Sequence, residues 1–272
     1  SARAVYTAGA LYALSNMNIR KPDMIIAASG SAPTSICYIT GQYNIITKVW
    51  LEYLSTKKFV NFLRFWKIVS ADYLVDDVLK NKNPLDMEKA RNSNITAFFP
   101  LTDSKTGEIK YFSNKEKVNL WQVVKASVSV PIFTNLFSVK GELVNGRFFS
   151  DSSPASRFQL HVKKAIEEGM ERIIVFDNWH PNDNPTTYFF SKFFAYMRNS
   201  KFRKNQLSYF KQMENFSIPK NIEFIKIEPK EKLAMSRFEI DNENARKIFK
   251  RGYGDTLNNG KLLEIIKEES KS

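Results

Sequence analysis

The fourteen residues 22–35, PDMIIAASGSAPTS, constrain the fold of this chain more than any other stretch. Residues 24–27 form a short apolar run without periodicity, as in a strand buried on both faces. Ser29 follows at once, and residues 30–40 then place small and apolar side chains at helical spacing. Pro33 falls in the first turn of that helix, where a missing N–H costs little. Strand, serine, helix is the geometry of a nucleophile elbow, in which a sharp turn lifts a hydroxyl to the top of a sheet beside a helix N-terminus. It is also the geometry of an ordinary buried strand-to-helix turn with a capping serine. The elbow pattern G-x-S-x-G has glycine two residues either side of the serine. Ala27 and Ser31 occupy those places, so the stretch alone leaves both readings open.

The rest of the chain alternates between the two periodicities. Residues 1–16 read as a loop entering a helix with Val5, Ala8, Leu11 and Leu14 on one face, and 41–54 as an amphipathic helix. Residues 57–69, KKFVNFLRFWKIV, read as a core-facing aromatic stripe with a solvated basic face, a membrane-docking surface being the alternative. A short helix over 71–79 and a hairpin of 95–101 with 109–112 follow, with Asp103 structural in the hairpin turn. Residues 118–128 are helical. Asn145-Gly146 is the strongest turn dipeptide, and a brief strand over 147–150 delivers Asp151. A helix over 158–168 with Gly169 past its end, then a strand over 172–176, predict a parallel crossover. A strand over 221–227 and helices over 241–252 and 255–267 close the chain.

At 272 residues, 43% hydrophobic and 25% charged, the chain is long enough for one large core. Its net charge of +13 calls for an anionic partner: a phospholipid surface, nucleic acid or an acidic substrate. The single Cys37 excludes an internal disulfide framework and fits a reducing compartment, hence the cytoplasm. No apolar run is long enough to span a bilayer. Cys and His are too sparse for a structural zinc site, and no Walker loop or dinucleotide fingerprint is present. No helix-turn-helix, zinc pattern or RNA-binding aromatic motif supports a nucleic-acid partner. Of the two histidines, His161 lies in a helix and His180 in a loop after a strand. Ser29, Asp151 and His180 have the chain order of a hydrolase triad, so a histidine base stands as a minority mechanism beside the plainer reading that both histidines are partly exposed and without a catalytic role.

Taken together, these segments resemble the bacterial patatin-like phospholipases over nearly the whole chain. The end of the family's oxyanion loop, G-x-[RK]-G, corresponds to Ser1-Ala2-Arg3-Ala4, with the preceding glycines and first strand expected ahead of residue 1. The G-x-S-x-G serine corresponds to Ser29, the segment ASxxxP to Ala126, Ser127 and Pro131, and D-G-[GA] to Asp151-Ser152-Ser153. A tail containing Pro229, Arg237, Phe238, Glu239, Asp241, Gly252 and Tyr253 resembles one bacterial subgroup. Glycines are replaced in three of these motifs.

The resemblance implies a three-layer α/β/α fold with a mostly parallel central sheet, a single domain over 1–272 in which 188–272 is a helical extension packed on the rest. It implies a lipid acyl hydrolase, cutting phospholipid or another acyl ester through a Ser29–Asp151 dyad, with the N–H groups of Ala2 and Arg3 as oxyanion hole and no metal, cofactor or thiol. The alternative is a weak or silent relative that binds anionic lipid, or less readily nucleic acid. Residues 188–213 suggest how either would dock peripherally on an anionic membrane: Phe193 and Phe194 recur at helical spacing with Lys201, Arg203 and Lys204 close by, the alternative being aromatics packed on the sheet with the cations as a solvated rim.

Overall fold

The apolar run after residue 22 forms strand β1 (Met24–Ile26), and TAFFPLTD forms β2 (Thr96–Asp103), parallel to it with Met24 opposite Thr96 and Ile26 opposite Phe98. The computed structural model describes the chain except residues 1–2, 18, 20, 55, 62, 65, 131–133, 135–139, 153–156, 180–191, 234–240 and 270–272, and the side chains of 268 and 269. Two hairpins extend β2 into an antiparallel wing. Strand β3 (Ile109–Ser113) returns along one edge through the turn that Asp103 closes, its Oδ1 accepting from the N–H groups of Lys105 and Thr106. On the other edge β4 (Glu142–Val144) turns at Asn145-Gly146, both with positive φ, into β5 (Arg147–Asp151), which pairs with β2. Strands β6 (Arg172–Phe176) and β7 (Glu223–Ile227) form a second parallel pair. Their Ile173, Val175 and Phe224 share an apolar cluster with Met24 and Ile26 of β1. The fold is α/β, with helices packed around a five-stranded sheet, in the order β1-β2-β5-β4 with β3 on β2, and a separate two-stranded parallel sheet, β6-β7.

Helix α1 (Ala4–Asn16) is buried nearly all round, which explains its lack of a polar face. It packs against α2 (Ser31–Ile39), α3 (Tyr43–Lys48) and, most extensively, α8 (Asn242–Leu257). That last crossing is set by two glycines. A Cβ on Gly9 would lie 2.1 Å from the Phe249 carbonyl oxygen, and one on Gly252 would lie 2.0 Å from that of Tyr6. Tyr6 donates to Asp255 at 2.8 Å across the same seam. Helix α3 runs on into a π-helical turn, Val49–Tyr53, whose Trp50 indole donates to Thr34 of α2 at 2.9 Å.

A π-helix (Tyr73–Lys82), α4 (Met87–Asn92) and α5 (Leu120–Val128) complete the first half. Helix α6 (Phe158–Glu167) ends at Gly169, φ +87°. Helix α7 (Ser200–Glu214) lies on the β2–β3 turn, where Gln206 donates to the Gly107 carbonyl at 2.6 Å, and α9 (Gly260–Glu269) closes the chain.

Four sequence expectations change. Residues 57–69 are a core-facing stripe only in part: Phe59 packs on the core, Leu63 and Trp66 are exposed, and Phe62 lies outside the described residues. Val60 and Val69 bridge antiparallel, Asn61 N–H donates to Ile68 O, and none of the described residues between them is helical, Leu63 being 84% exposed. The two closing helices divide at Asn258-Asn259 rather than near Gly252, because Gly252 and Gly254 both lie inside α8. The crossover through α6 leads to β6, which pairs with β7 instead of β5. Strand β1 is half-buried rather than fully enclosed. Residue Cys37 is a free, buried thiol, and burial pushes its pKa up to about 12.

Candidate active site

Sheet register brings two distant residues to one level. Ser29 lies three residues beyond Ile26, which pairs with Phe98; Asp151 pairs with Leu101, three residues beyond Phe98. The Ser29 hydroxyl donates to Asp151 Oδ2 at 2.7 Å.

The turn that carries Ser29 is strained at one point. Ser29 has φ +55°, the left-handed region that side chains other than glycine rarely adopt. Its neighbours hold it there. Ala27 N–H donates to Phe98 O at 2.9 Å, Ser31 N–H to Ala28 O at 3.1 Å and Ala32 N–H to Ser29 O at 3.0 Å. From α5, the Ser127 hydroxyl donates to the same Ser29 carbonyl at 3.1 Å. A left-handed serine held between a strand and a helix N-terminus has the geometry of an elbow.

The replaced glycines are explained by where crowding falls. A Cβ on Gly30 would sit 3.0 Å from Ala4 Cβ and 3.1 Å from the Trp50 ring. The close approach is therefore at residue 30, which is glycine, while Ala27 and Ser31 fit. The same contact sets the first turn of α1 against the elbow, so the N-terminal ends of α1 and α2 both approach Ser29.

Asp151 is 2% exposed, and its N–H donates to the Ser129 carbonyl at 3.0 Å. Ser129 in turn donates its hydroxyl to Lys125 O at 2.8 Å, so the end of α5 braces both members of the pair. Sequence reading had placed Ser127 only within a motif and had not singled out Ser129 or Gly30. The Gly30 N–H, which makes no hydrogen bond among the described residues, is a further donor directly after the serine. The signal for it was its position alone.

Of the residues expected in the oxyanion loop, Ala2 lies outside the described residues. Arg3 stands at the start of α1 with its guanidinium 4.5 Å from the Trp179 ring centroid, and Arg157 stacks on the same ring at 5.3 Å. Trp179 is held by its N–H to Asp177 Oδ1, 3.1 Å, just past β6. Burial raises the Asp177 pKa, against the pull of Lys226 at 3.1 Å. Among the described residues, no three His, Cys, Asp or Glu side chains are grouped so as to hold a metal ion.

His180 lies outside the described residues. His161 is engaged elsewhere, its Nδ1 3.1 Å from the Tyr111 hydroxyl. The residue is half-buried, and desolvation pushes the imidazole down to about 4 from 6.5. Between those pH values the unfolded chain binds a proton that the folded one does not, so stability falls as pH drops through that window. The loss approaches about 3 kcal/mol near pH 4. Urea unfolding at pH 7 and pH 4.5 should show a smaller acid loss in His161→Gln than in the native sequence.

The residues expected at a lipid surface adjoin the turn that follows the C-terminal end of β2. Asn199 ties this region to the Lys105 carbonyl at 3.0 Å, and Arg198 to that of Ser104. Phe193 is exposed there, joined by Tyr196 and Met197, whereas Phe194 is half-buried against Phe202. Lys201 and Lys204 are exposed, Lys201 lying 3.7 Å from Glu108, and Arg203 stacks on Tyr196. Residues 188–191 of the segment lie outside the described residues.

The family model for patatin-like phospholipase matches residues 1–157, more than half of the 272-residue chain. A search of curated proteins returns no match.

Proposed function

The chain belongs to the patatin-like phospholipase family, a family of lipid acyl hydrolases, and on that premise we propose that it is a serine hydrolase of phospholipid or related acyl esters. The observation that carries this reading is the 2.7 Å hydrogen bond from Ser29 to Asp151 at a left-handed elbow. Asp151 accepts the hydroxyl proton as Ser29 Oγ bonds to the ester carbonyl carbon, and the carbonyl electron pair moves onto oxygen. Collapse of that oxyanion breaks the ester C–O bond, and the leaving alcohol takes the proton from Asp151. Water then gives a proton to Asp151 and attacks the acyl-serine, freeing the fatty acid and restoring the serine. Donors for the oxyanion are the N–H groups of Ala2, Arg3 and Gly30, aided by the positive ends of α1 and α2. Nothing in this sequence of steps calls on a metal, cofactor or histidine. A panel of lipid esters, run on the native sequence beside Ser29→Ala, tests it.

The intact pair favours an active enzyme over a silent relative, despite the replaced motif glycines. We read residues 1–272 as one domain, with the segment from 188 onward packed on it and contributing β7 as the partner of β6. No described helix is long and apolar enough to cross a membrane. On the reading that substrate is met at a membrane surface, the exposed Phe193, Tyr196 and Met197 with Lys201, Arg203 and Lys204 supply apolar and cationic contact. Binding should be stronger to anionic than to neutral vesicles and should weaken as salt rises. Charge reversal at Lys201, Arg203 and Lys204 should cut vesicle binding about tenfold or more, each cation being worth roughly 1 kcal/mol near such a surface. Hydrolysis of a small soluble ester should be unaffected.

A further inference from the structure

The loop between Val60 and Val69 carries two exposed apolar side chains that the catalytic reading does not use. Leu63 is 84% exposed, more than any other large apolar residue among those described, and Trp66 is 47% exposed. The stretch 57–67, KKFVNFLRFWK, holds four cations and no acid. Beside the loop lies a cavity of about 570 Å³ whose lining includes Lys58, Arg64, Lys82, Asp72 and Asp77.

Charge in this cavity is unbalanced. Asp72 is already engaged, accepting from Lys67 and lying 2.5 Å from Lys125. Burial would raise its pKa, but those two cations outweigh burial and hold it below the usual carboxylate range. Lys58, Arg64 and Lys82 have no ion pair with a carboxylate among the described residues. The Lys82 ammonium lies over the rings of Tyr53 and Tyr73 at 5.2 and 5.8 Å, and Arg64 donates from Nη2 to the Lys57 and Lys58 carbonyls at 3.3 and 2.9 Å while its buried Nε has no hydrogen-bond partner. Three cations thus face one unengaged carboxylate, Asp77.

The loop is also tied to the active site. Lys67 bonds Asp72, and Lys125 of α5 bridges Asp72 and Asp76 at 2.5 and 2.7 Å. Helix α5 ends in the serines that brace Ser29 and Asp151.

We propose that the 60–69 loop is a second membrane anchor, its Leu63 and Trp66 entering the interfacial layer of an anionic bilayer while the Lys58–Arg64–Lys82 cavity takes a lipid phosphate. Charge complementarity selects this occupant: exposed apolar tips ringed by cations suit a negatively charged bilayer, whose headgroups are acidic and whose interface accepts tryptophan. The inference rests on the reading that this protein works at a lipid surface.

The test is cosedimentation with phosphatidylglycerol and phosphatidylcholine vesicles. Leu63→Ser with Trp66→Ser, both at exposed positions, should weaken binding to anionic vesicles about tenfold. Lys58→Glu with Lys82→Glu should remove most of the preference for anionic over neutral vesicles. Brominated lipid should quench tryptophan emission in the native sequence, and less in Trp66→Phe. Native-like sedimentation by both double variants, or equal quenching with and without Trp66, would overturn the proposal. So would capture of an acidic protein by the loop without vesicle binding.

Two controls separate this proposal from the catalytic one. Soluble-ester hydrolysis by the Leu63/Trp66 variant should match the native rate, and Ser29→Ala should bind vesicles as the native chain does. Loop-dependent vesicle binding in a chain that hydrolyses nothing would remove the enzyme and leave the anchor. Hydrolysis without loop-dependent binding would do the reverse.

Discussion

Ser29→Ala should lower ester hydrolysis by about a thousandfold or more while shifting unfolding by no more than about 1 kcal/mol. The first expectation follows from chemistry: without Oγ there is no acyl-enzyme, and the remaining oxyanion donors can only assist direct attack by water. The second follows from geometry. Alanine inherits the same φ of +55°, so the strain of the turn is unchanged, and only the 2.7 Å hydrogen bond is lost. Asp151→Asn is the companion measurement. Asparagine keeps the size of the buried side chain and can still bond to Ser29, but it cannot take the serine proton, so hydrolysis should again fall by about 10²–10⁴. His161→Ala and His180→Ala should each keep most of the activity. Near-native hydrolysis by Ser29→Ala would end the serine mechanism, and a thousandfold loss in a folded histidine variant would move the base from Asp151 to histidine.

How much of this could be read from residues alone depended on whether the signal was local. The strand–serine–helix turn was legible because its parts, with Pro33 in the helix's first turn, are contiguous, though not whether it was an elbow or a capped turn; the Asp103 turn was legible because Asx bonding spans three residues. Pairing of Ser29 with Asp151 was available only through family resemblance, since the register of β2 against β1 and β5 spans 122 residues of sequence. Two readings failed for opposite reasons. In 57–69 the spacing of aromatics imitated a helix stripe, but Val60–Val69 pairing won, turning Leu63 and Trp66 to solvent. At Gly252 the glycine looked like a helix end, whereas it is an interior position emptied of its side chain so that another helix can approach.

That approach gives the largest stability effect expected outside the site. Gly252→Ala would place a methyl 2.0 Å from the Tyr6 carbonyl oxygen, and neither backbone can yield without parting α1 from α8. The contact is doubled by Gly9 against Phe249, one turn away on each helix, so separating the pair at one point strains the other. Overpacking of this kind costs about 1–3 kcal/mol, and a backbone-to-methyl clash belongs at the top of that range. For a chain of this size the melting temperature should drop by roughly 6–12 °C. Gly254→Ala, two residues on, is the control. Nothing lies within 4 Å of its added methyl, so helix propensity alone acts and the variant should gain about 0.5–1 kcal/mol. Because Ala4 of α1 touches the elbow at Gly30, displacement of α1 should also reach the site. Gly252→Ala, assayed well below its melting temperature, should therefore hydrolyse ester more slowly than Gly254→Ala, which should match the native rate. If both alanines raise stability alike, the two helices do not meet at Gly252 and the tail does not brace the active-site turn.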